Sequence, residues 1–569
     1  MLKTFLQENQ FILPSYQHYG GYSGFQDYGI LGFKLKNNLL EIWKKTMLDS
    51  DIHEVEIPSI MPYAVLKASG HVERFMDYVV YDENGLCYRA DHLAKKWFKD
   101  HDLNDLANLV DSWDSLTLEH NINKYAMFEV PIVVLTKNLM IEVPSNTLQS
   151  SETDYLRPEL AQGIFVNFKT YYTYFQHDES DFKPFGIAQI GKSYRKEISP
   201  QPFVRMREFT QAEIEYFFDP KNISCQNFDS YRDLIVVLLT DENQTLNVKP
   251  VKISLGHAVD NGLINHKLMA YFLAKIYIFA KRIGLHDDKI RFRQHQRNEM
   301  AHYANQCWDL ECFVGGSWLE CVGCADRGCY DLTAHSKINP KQPFMAKRKL
   351  SMPIKNTNII IKPLLQKMNH IDPKNFSVVK EYFVTLTDTD ILSHIINKEI
   401  FTIEIAGISY SFTPEMFNLK ENITNINYET FVPHVLEPSF GIDRLIYAVL
   451  EQNIWKREFD DRRLVLSLPN DLILYDVAVF PLHKKDEMCK LADKIRSELI
   501  MVGFKCYIDD SGTAIGKKYV RCDEIGVRYA ITIDPGSLKS GLVTVRNRDT
   551  INQSYVHYND LVATLKNQS

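Results

Sequence analysis

Two stretches, KPFGIAQIGKSYRKEIS at 183–199 and RMREFTQAEIEYFFDP at 205–220, set charged side chains among apolar and aromatic ones. In extended chain, alternate residues share a face. Ser193, Arg195 and Glu197 then lie together, with Tyr194, Lys196 and Ile198 opposite. On the second stretch Phe209, Gln211, Glu213 and Glu215 lie together, with Ala212, Ile214 and Tyr216 opposite. Joined by the loop 199–205, the strands make an antiparallel pair. Its polar face carries an arginine for phosphate oxygens, an aromatic plane for a purine, and carboxylates for an amine or a metal ion. The pattern predicts a nucleotide floor on an antiparallel sheet. One arginine or glutamate on a strand is usually only a solvated charge, but three further stretches embed charge in apolar context: LRPELAQGIF at 156–165, WLECVGCADRGCYDL at 318–332 and EPSFGIDRLIY at 437–447. The last joins a glycine turn, a helix start and an arginine, a combination that suits an anion. No Walker loop or dinucleotide fingerprint is present.

Such a site needs a large scaffold, and 569 residues supply one: 45% apolar, 12% aromatic and 24% charged is a globular composition. The net charge of −7 excludes a histone-like binder, so any nucleic acid must meet a local surface. No fixed-period repeat appears. Helical segments alternate with short strands. Leu31, Leu35, Leu39 and Trp43 predict a helix from Ile30 to Met47. The run EVEIPSIMP at 54–62 reads as an extended strand with Pro58 at an edge or interface. Residues 268–285 are the most membrane-like, but Lys275, Lys281 and Arg282 belong on the wet face of an amphipathic helix, so no span is expected. Stretches near 95–150, 219–296 and 336–425 read as insertions on a catalytic domain covering 1–465. From 466 to 569, strands such as LILYDVAVFPL and RYAITID alternate with helices, which predicts a small α/β domain. Its net charge is +1 against −8 for the rest, the direction that suits an RNA-reading module.

With these motifs in view, the chain resembles the homodimeric class II glycyl-tRNA synthetases of the eukaryotic and archaeal-like branch. The resemblance runs over about 19–549 and rests on YGGYSGFQDYGILGFKLKNN (19–38), LKASGHVERF (66–75), CYRADHL (87–93), EMAHYA (299–304), ECVGCADR (320–327) and DEIGVRYAITID (523–534). Pro62 matches the proline ending motif 1, Arg195 to Glu197 the R-x-E of motif 2, and Arg444 the arginine of motif 3. It implies an α+β class II core, an antiparallel sheet flanked by helices with insertions, followed by a C-terminal α/β anticodon-binding domain. It implies Arg195 and Arg444 as catalytic residues. ATP would be bound by Arg195, Lys196, Glu197, Arg205, Met206, Phe209, Glu320, Cys321 and Arg444, with magnesium reached by Glu320 through ATP. Glycine would be recognised by Glu159, Glu213, Glu437, Pro438 and Ser439, with Arg327 and Arg89 in support. Lys517, Lys518, Arg546 and Arg548 would meet the anticodon loop. The implied partners are ATP, glycine, tRNA(Gly) and a second copy of the chain; synthesis of diadenosine tetraphosphate is left open.

Glycine offers no side chain to grip. Selection must come from carboxylates around its ammonium in a space with no room for a Cβ. The chain departs from the family at Ile30, where a proline is usual, at Leu160 in place of threonine, and in a motif 2 loop one residue shorter, with Gln201 where an arginine often stands. Cys307, Cys312, Cys321, Cys324 and Cys329 raise a zinc site as an alternative through the CVGC spacing, but the cluster matches a segment for which the resemblance implies no zinc. His71, His92, His302 and His434 read as packed or hydrogen-bonded histidines and not as metal ligands. The MLKTFLQENQ start has no apolar signal core, and ten unevenly spaced cysteines predict reduced thiols, hence a cytoplasmic protein.

Overall fold

Leu31, Leu35, Leu39 and Trp43 do recur along one helix, α1 (Ile30–Met47), and with Ile42 and Met47 they are fully or almost fully buried. The computed structural model in which they are seen describes residues 2–110, 113–144, 153–176, 181–223, 225–297, 299–300, 304–385, 389–458 and 460–568. The face that α1 buries meets a nine-stranded sheet. Its strands are β1 (Ile52–Glu54), β2 (Phe185–Tyr194), β3 (Glu208–Phe218), β4 (Ile235–Leu239), β5 (Val251–Ser254), β6 (Ile290–Gln294), β7 (Gln306–Val314), β8 (Ser317–Gly328) and β9 (His434–Gly441). Their order in space is β5-β4-β6-β7-β8-β9-β3-β2-β1. Only β1 with β2 and β4 with β6 run parallel.

Strand alternation divides this sheet into two chemistries. On the core face Ala212, Ile214 and Tyr216 of β3 and Leu436 and Phe440 of β9 pack under α1, α2 (Lys267–Arg282) and α4 (Ile442–Asn453), with α3 (Tyr330–Ile338) between them in sequence. Trp43 of α1 and Phe279 of α2 both meet Phe440 edge-on, at 5.7 and 5.5 Å between ring centroids. Burying rings of this size is worth about 1.5–3 kcal/mol each. The opposite face carries Gln211, Glu213 and Glu215 of β3 beside Glu437 and Ser439 of β9.

Several boundaries differ from those read in the sequence. Residues 219–296 are not an insertion: they supply β4, β5 and β6 to the central sheet and α2 to its core. The insertion near 95–150 begins earlier. Strands Met76–Tyr81, Cys87–Arg89 and Leu135–Asn138 form their own sheet. With helices Ala90–Asp100 and Ser115–Lys124 they enclose a separate core of Val80, Ala94, Phe98, Leu118 and Ile122. The 54–62 run breaks up: β1 ends at Glu54, and Ile60–Met61 joins another sheet with Asp154–Leu156. On α2, Lys281 and Arg282 do face water, but Lys275 is buried, with its ammonium on Asp49 at 2.6 Å. Ala346–Phe431 forms the body of a second compact unit. There a long hairpin of Ala346–Pro363 with Phe417–Phe431 accompanies a core of Met368, Val379, Phe383, Phe401 and Phe412.

In the C-terminal part, β10 (Val477–Pro481), β11 (Cys506–Ile508), β12 (Tyr529–Ile533), β13 (Leu542–Asn547) and β14 (Gln553–His557) lie in the order β11-β10-β12-β13-β14. Helix α5 (Asp486–Met501) turns Met488, Ile495 and Leu499 onto that sheet, and α6 (Ile515–Glu524) follows.

Candidate active site

Between β2 and β3 the chain reverses through residues 195–207, tied at its base by Arg195 N–H to Arg207 O at 2.9 Å and at its tip by Gln201 and Arg205. Phe203 at the tip takes a positive φ of 66° and stacks on Tyr447 of α4 at 4.8 Å. The shortened loop is thus a closed hairpin anchored on α4. It walls a cavity of about 240 Å³ lined by eight of the nine expected ATP residues: Arg195, Glu197, Arg205, Met206, Phe209, Glu320, Cys321 and Arg444. Lys196 is the exception. It lies past the end of β2, in a tight turn closed by Glu197 N–H to Arg195 O at 2.7 Å, and lines a different hollow with Lys137 and Ile141.

Both arginines are held in place before any ligand arrives. The Arg195 guanidinium lies between the rings of Phe75 and Phe209, at 5.3 and 5.2 Å, and its Nε donates to Pro158 O at 3.3 Å. Arg444 donates from Nε to Val204 O at 2.9 Å and from Nη1 to Glu320 O at 2.8 Å, joining helix, loop and β8. Asp443, beside it, accepts from Thr210 N–H and from the Tyr28 hydroxyl. A β-bulge decides where Glu320 points. Leu310 pairs with Val322 and Glu311 with Glu320, so Cys321 is the extra residue and the strand turns at the cavity wall. The Glu320 side chain is 55% exposed there. A hard carboxylate oxygen on the wall of a cavity with two arginines fits a magnesium ion that keeps phosphate and water oxygens as its other ligands.

Ser439 borders this cavity and donates to Glu213 Oε1 at 2.7 Å, and with Glu213 begins a buried cluster of acidic side chains. Glu213 also accepts from Gln211 Nε2 at 2.7 Å and from the Leu160 N–H at 2.8 Å. Leu160 therefore contributes through its backbone, as any residue could, while its side chain is buried. Gly191 is required nearby: a Cβ there would stand 2.3 Å from Arg157 Nη2. Arg157 in turn pins residues 157–160 to the floor by donating to Lys192 O and Ile57 O. Arg327, 2% exposed, donates from Nη1 to Glu437 Oε2 at 2.6 Å and binds Asp331 through Nε and Nη2 at 2.8 and 3.0 Å. Glu159 lies 4.0 Å from Arg327 Nη2, accepts from Gln162 and pairs with His71 at 3.3 Å.

Burial acts on all these acids, and their partners separate them. Burial pushes Glu213 up to about 8, aided by the charges of Glu437 and Glu159. Glu437 is also raised by burial, against the pull of Arg327. For Glu159 burial is outweighed by His71, Arg327 and Gln162, which hold it well below the usual range. Pro438 sits between Glu437 and Ser439 with its ring on the core face of β9, opposite Cys324, so it shapes the strand and not the pocket. Arg89 is not in the acidic cluster. It pairs with Asp91 at 2.5 Å and Asp77 at 3.3 Å in the 76–138 module, on the cavity side near Glu197 and Arg205. His92 of that module meets Arg205 Nη1 at 2.8 Å.

Three of the four expected anticodon contacts are used inside the C-terminal domain. Lys518 is buried and donates to Asp509 O at 2.9 Å; Arg546 grips Asp523 with two bonds of 2.8 and 3.0 Å; Arg548 donates to Gly526 O and to Asp549. Only Lys517 of the four is exposed. Of the cysteines, Cys321 borders the cavity while Cys324 packs on Met269 in the core. Among the described residues the ligand sets that converge are His295–Cys307–Asp309 and Glu213–Glu215–Glu437. His302 lies outside the described residues. Gln211 and Glu215 lie on the polar face expected from the sequence but were given no individual role there, and His71, Phe75, Gln162 and Asp331 belong to the site but were not singled out for it in the sequence. For His71 and Phe75 the signal was the SGHVERF stretch itself.

An antiparallel sheet that presents two anchored arginines and a carboxylate around one cavity, with a mixed-sheet domain after it, defines a class II aminoacyl-tRNA synthetase. The family described as tRNA synthetase class II core domain (G, H, P, S and T) matches residues 148–453, and the anticodon binding domain family matches 476–568. The chain is 39% identical to the glycine–tRNA ligase of Methanocaldococcus jannaschii, covering 98% of this chain and 96% of that one. It is 33% identical to glycine–tRNA ligase 2 of Saccharomyces cerevisiae, over 99% and 94%. The chain belongs to the glycine–tRNA ligase family. The solved prolyl-tRNA synthetase of Cryptosporidium parvum with halofuginone and AMPPNP shares the fold, with a TM-score of 0.53 at 12% identity over 100% of this chain and 76% of that one. No helix among the described residues is long and apolar enough to cross a membrane.

Proposed function

We propose that this chain joins glycine to tRNA(Gly) in two steps, both run in the cavity and at the acidic cluster that Ser439 links to it. A glycine carboxylate oxygen attacks the α-phosphorus of ATP in line, and the bond to pyrophosphate breaks. A terminal ribose hydroxyl of tRNA then attacks the carbonyl carbon, and AMP leaves. The observation that carries this reading is the position of Ser439. It lines the arginine cavity and holds Glu213 at the same time, so a substrate small enough to place its ammonium on Glu213 presents its carboxylate to the α-phosphate.

Each residue's work follows from its surroundings. Arg195, stacked between two rings, binds the α-phosphate and the glycine carboxylate; Arg444 covers the nucleotide from the α4 side and neutralises phosphate charge. Because both are anchored, charge building on the phosphate meets donors that need not reorganise. Glu213 and Glu437 receive the ammonium, Glu159 and Arg327 orient them, and Phe209 supplies a plane for the base. Magnesium bound with ATP at Glu320 would add charge neutralisation on the phosphates. An alanine substrate would push its methyl against Ser439, Gln211 and Glu213, and exclusion of one such group is worth about 1–3 kcal/mol.

The reading extends to partners. The anticodon-binding domain meets tRNA through surfaces that include Lys517, since its buried cations are already paired. The chain pairs with a second copy through the apolar N-terminal surface, where Tyr19 is 81%, Tyr22 61%, Ile30 75% and Phe33 58% exposed. Its site of action is the cytoplasm, in keeping with cysteines that form no disulfide. The test is ATP/pyrophosphate exchange with each amino acid in turn. Exchange with glycine and none with alanine, serine, threonine or proline is expected; exchange with another amino acid, or with none, overturns the proposal.

A further inference from the structure

Glu215 stands one step along β3 from the ammonium-binding Glu213, on the same face, and has no assigned work. Its side chain is 0% exposed, and among the described residues neither carboxylate oxygen has a hydrogen-bond partner. One oxygen each of Glu213, Glu215 and Glu437 lie within 4.8 Å of one another. Strand register brings this about. Glu213 pairs with Ser439 and Tyr216 with Leu436, so Glu215 falls beside Glu437 on β9, while on its other side stands Ile187 of β2.

The charges facing Glu215 are Glu213 on its own strand, Glu437 on β9, Arg327 on β8 and Asp331 on α3, with Glu159 and His71 beyond them. Arg327 gives Glu215 no hydrogen bond: its Nη1 donates to Glu437, and its Nε and Nη2 donate to Asp331. Even with a bound ammonium, five acids would face three cations at most: Arg327, His71 and the ammonium itself. Two ionised carboxylates this close in a dry interior repel each other strongly, and one neutralises instead.

We propose that Glu215 is held as a neutral carboxylic acid whose hydroxyl donates to the free oxygen of Glu437, positioning that carboxylate, still ionised, for the substrate ammonium. The proposal rests on the reading of this pocket as the ammonium site. Burial first, then the Glu437 charge, pushes the Glu215 carboxyl well above the usual range, in agreement with the geometry. Glu215 is thus a positioning residue: it does not touch the substrate. Its proton lets a third acid stand behind the pair without adding charge, and Glu437 keeps one oxygen on Arg327 and receives a donor on the other.

Two substitutions separate this role from a merely structural one. In Glu215→Gln the amide keeps the shape, the donor and the neutral charge, so the KM for glycine in exchange stays within about 3-fold of the parent. In Glu215→Leu the donor is lost, and the KM rises about 10- to 100-fold, the worth of one charge-assisted hydrogen bond, with the KM for ATP unchanged. A direct readout needs no substrate. The infrared spectrum of the full-length protein at about pH 9, where Glu213 is ionised, should contain a protonated carboxyl C=O band that shifts in D2O and is absent from Glu215→Gln. Because that band does not depend on which amino acid is activated, it tests Glu215 even if the glycine assignment fails. Absence of the band, a Glu215→Gln KM as poor as that of Glu215→Leu, or a stoichiometric metal ion that Glu215→Gln loses, would each overturn the proposal.

Discussion

Replacing Glu213 with glutamine should change both how tightly glycine is held and how that hold depends on pH. Glu213 must be ionised to receive the ammonium, yet burial and its acidic neighbours place it at about 8 in the free protein. At pH 7 only about a tenth of the molecules then carry the charge, so binding has to expel a proton at a cost of about 1.4 kcal/mol. The sign follows: below about 8, glycine binding weakens as pH falls, approaching tenfold per unit, and it levels off above. In Glu213→Gln the amide oxygen still accepts from the Leu160 N–H at the Oε2 position, and the Ser439 hydroxyl can turn to accept from the new NH2 at the Oε1 position, so the site keeps its shape. Loss of one charge-assisted bond at high pH costs about 1.5–3 kcal/mol, or roughly 10- to 150-fold in KM. The assay is glycine-dependent exchange at pH 6.5, 7.5 and 8.5, with glycine varied and ATP saturating. The parent KM should fall as pH rises while the variant's stays high and flat. A parent KM independent of pH, or a variant that keeps the slope, would refute the assignment of the ammonium to Glu213.

Arg195→Ala should lower the exchange rate by about 10²- to 10³-fold, the loss typical of a preorganised donor; measured kcat within threefold of the parent would remove Arg195 from the reaction. Arg546→Ala should cost the C-terminal domain about 3 kcal/mol in thermal melts, the low end for a broken buried pair because Arg457 keeps one oxygen of Asp523 at 2.7 Å. Lys517→Ala should leave exchange and melting unchanged while raising the KM for tRNA in aminoacylation; the reverse pattern would show the two cations misassigned. Sedimentation should give about twice 66.1 kDa, and a stable monomer at micromolar concentration would contradict pairing through the exposed aromatic surface.

The nucleotide cavity was legible because period-two alternation depends only on the backbone: once 208–218 is a strand, Phe209 and Glu213 must share a face, and the register that pairs Ser193 with Phe209 brings Arg195, just past the end of β2, beside them. Lys196, which only the resemblance had drawn to ATP, lies past the end of β2, where its N–H donates to Leu139 O and its side chain lines another hollow. Glu320 could not be placed by counting, since the bulge at Cys321 shifts the register by one residue and depends on the partner strand. Long-range pairing also hid the central-sheet membership of 219–296, whose strands β4 and β6 are neighbours despite the helices between them. Charges in the tail misled because a lysine in sequence shows its charge and not its partner. Lys518, Arg546 and Arg548 each find an oxygen acceptor brought close only by the fold. Glu215 lay in plain view on the right face, but its isolation is a property of three strands and one helix together.

The central claim is that two arginines from distant stretches of chain enclose the reacting phosphate while paired acids hold the ammonium of glycine. A crystal structure with a non-hydrolysable glycyl-adenylate analogue tests it most directly. The account predicts both guanidinium groups within hydrogen-bond distance of the analogue's phosphate-like oxygens and its ammonium between Glu213 and Glu437. An analogue whose ammonium lies away from both acids, or either arginine turned from the phosphate, would contradict it.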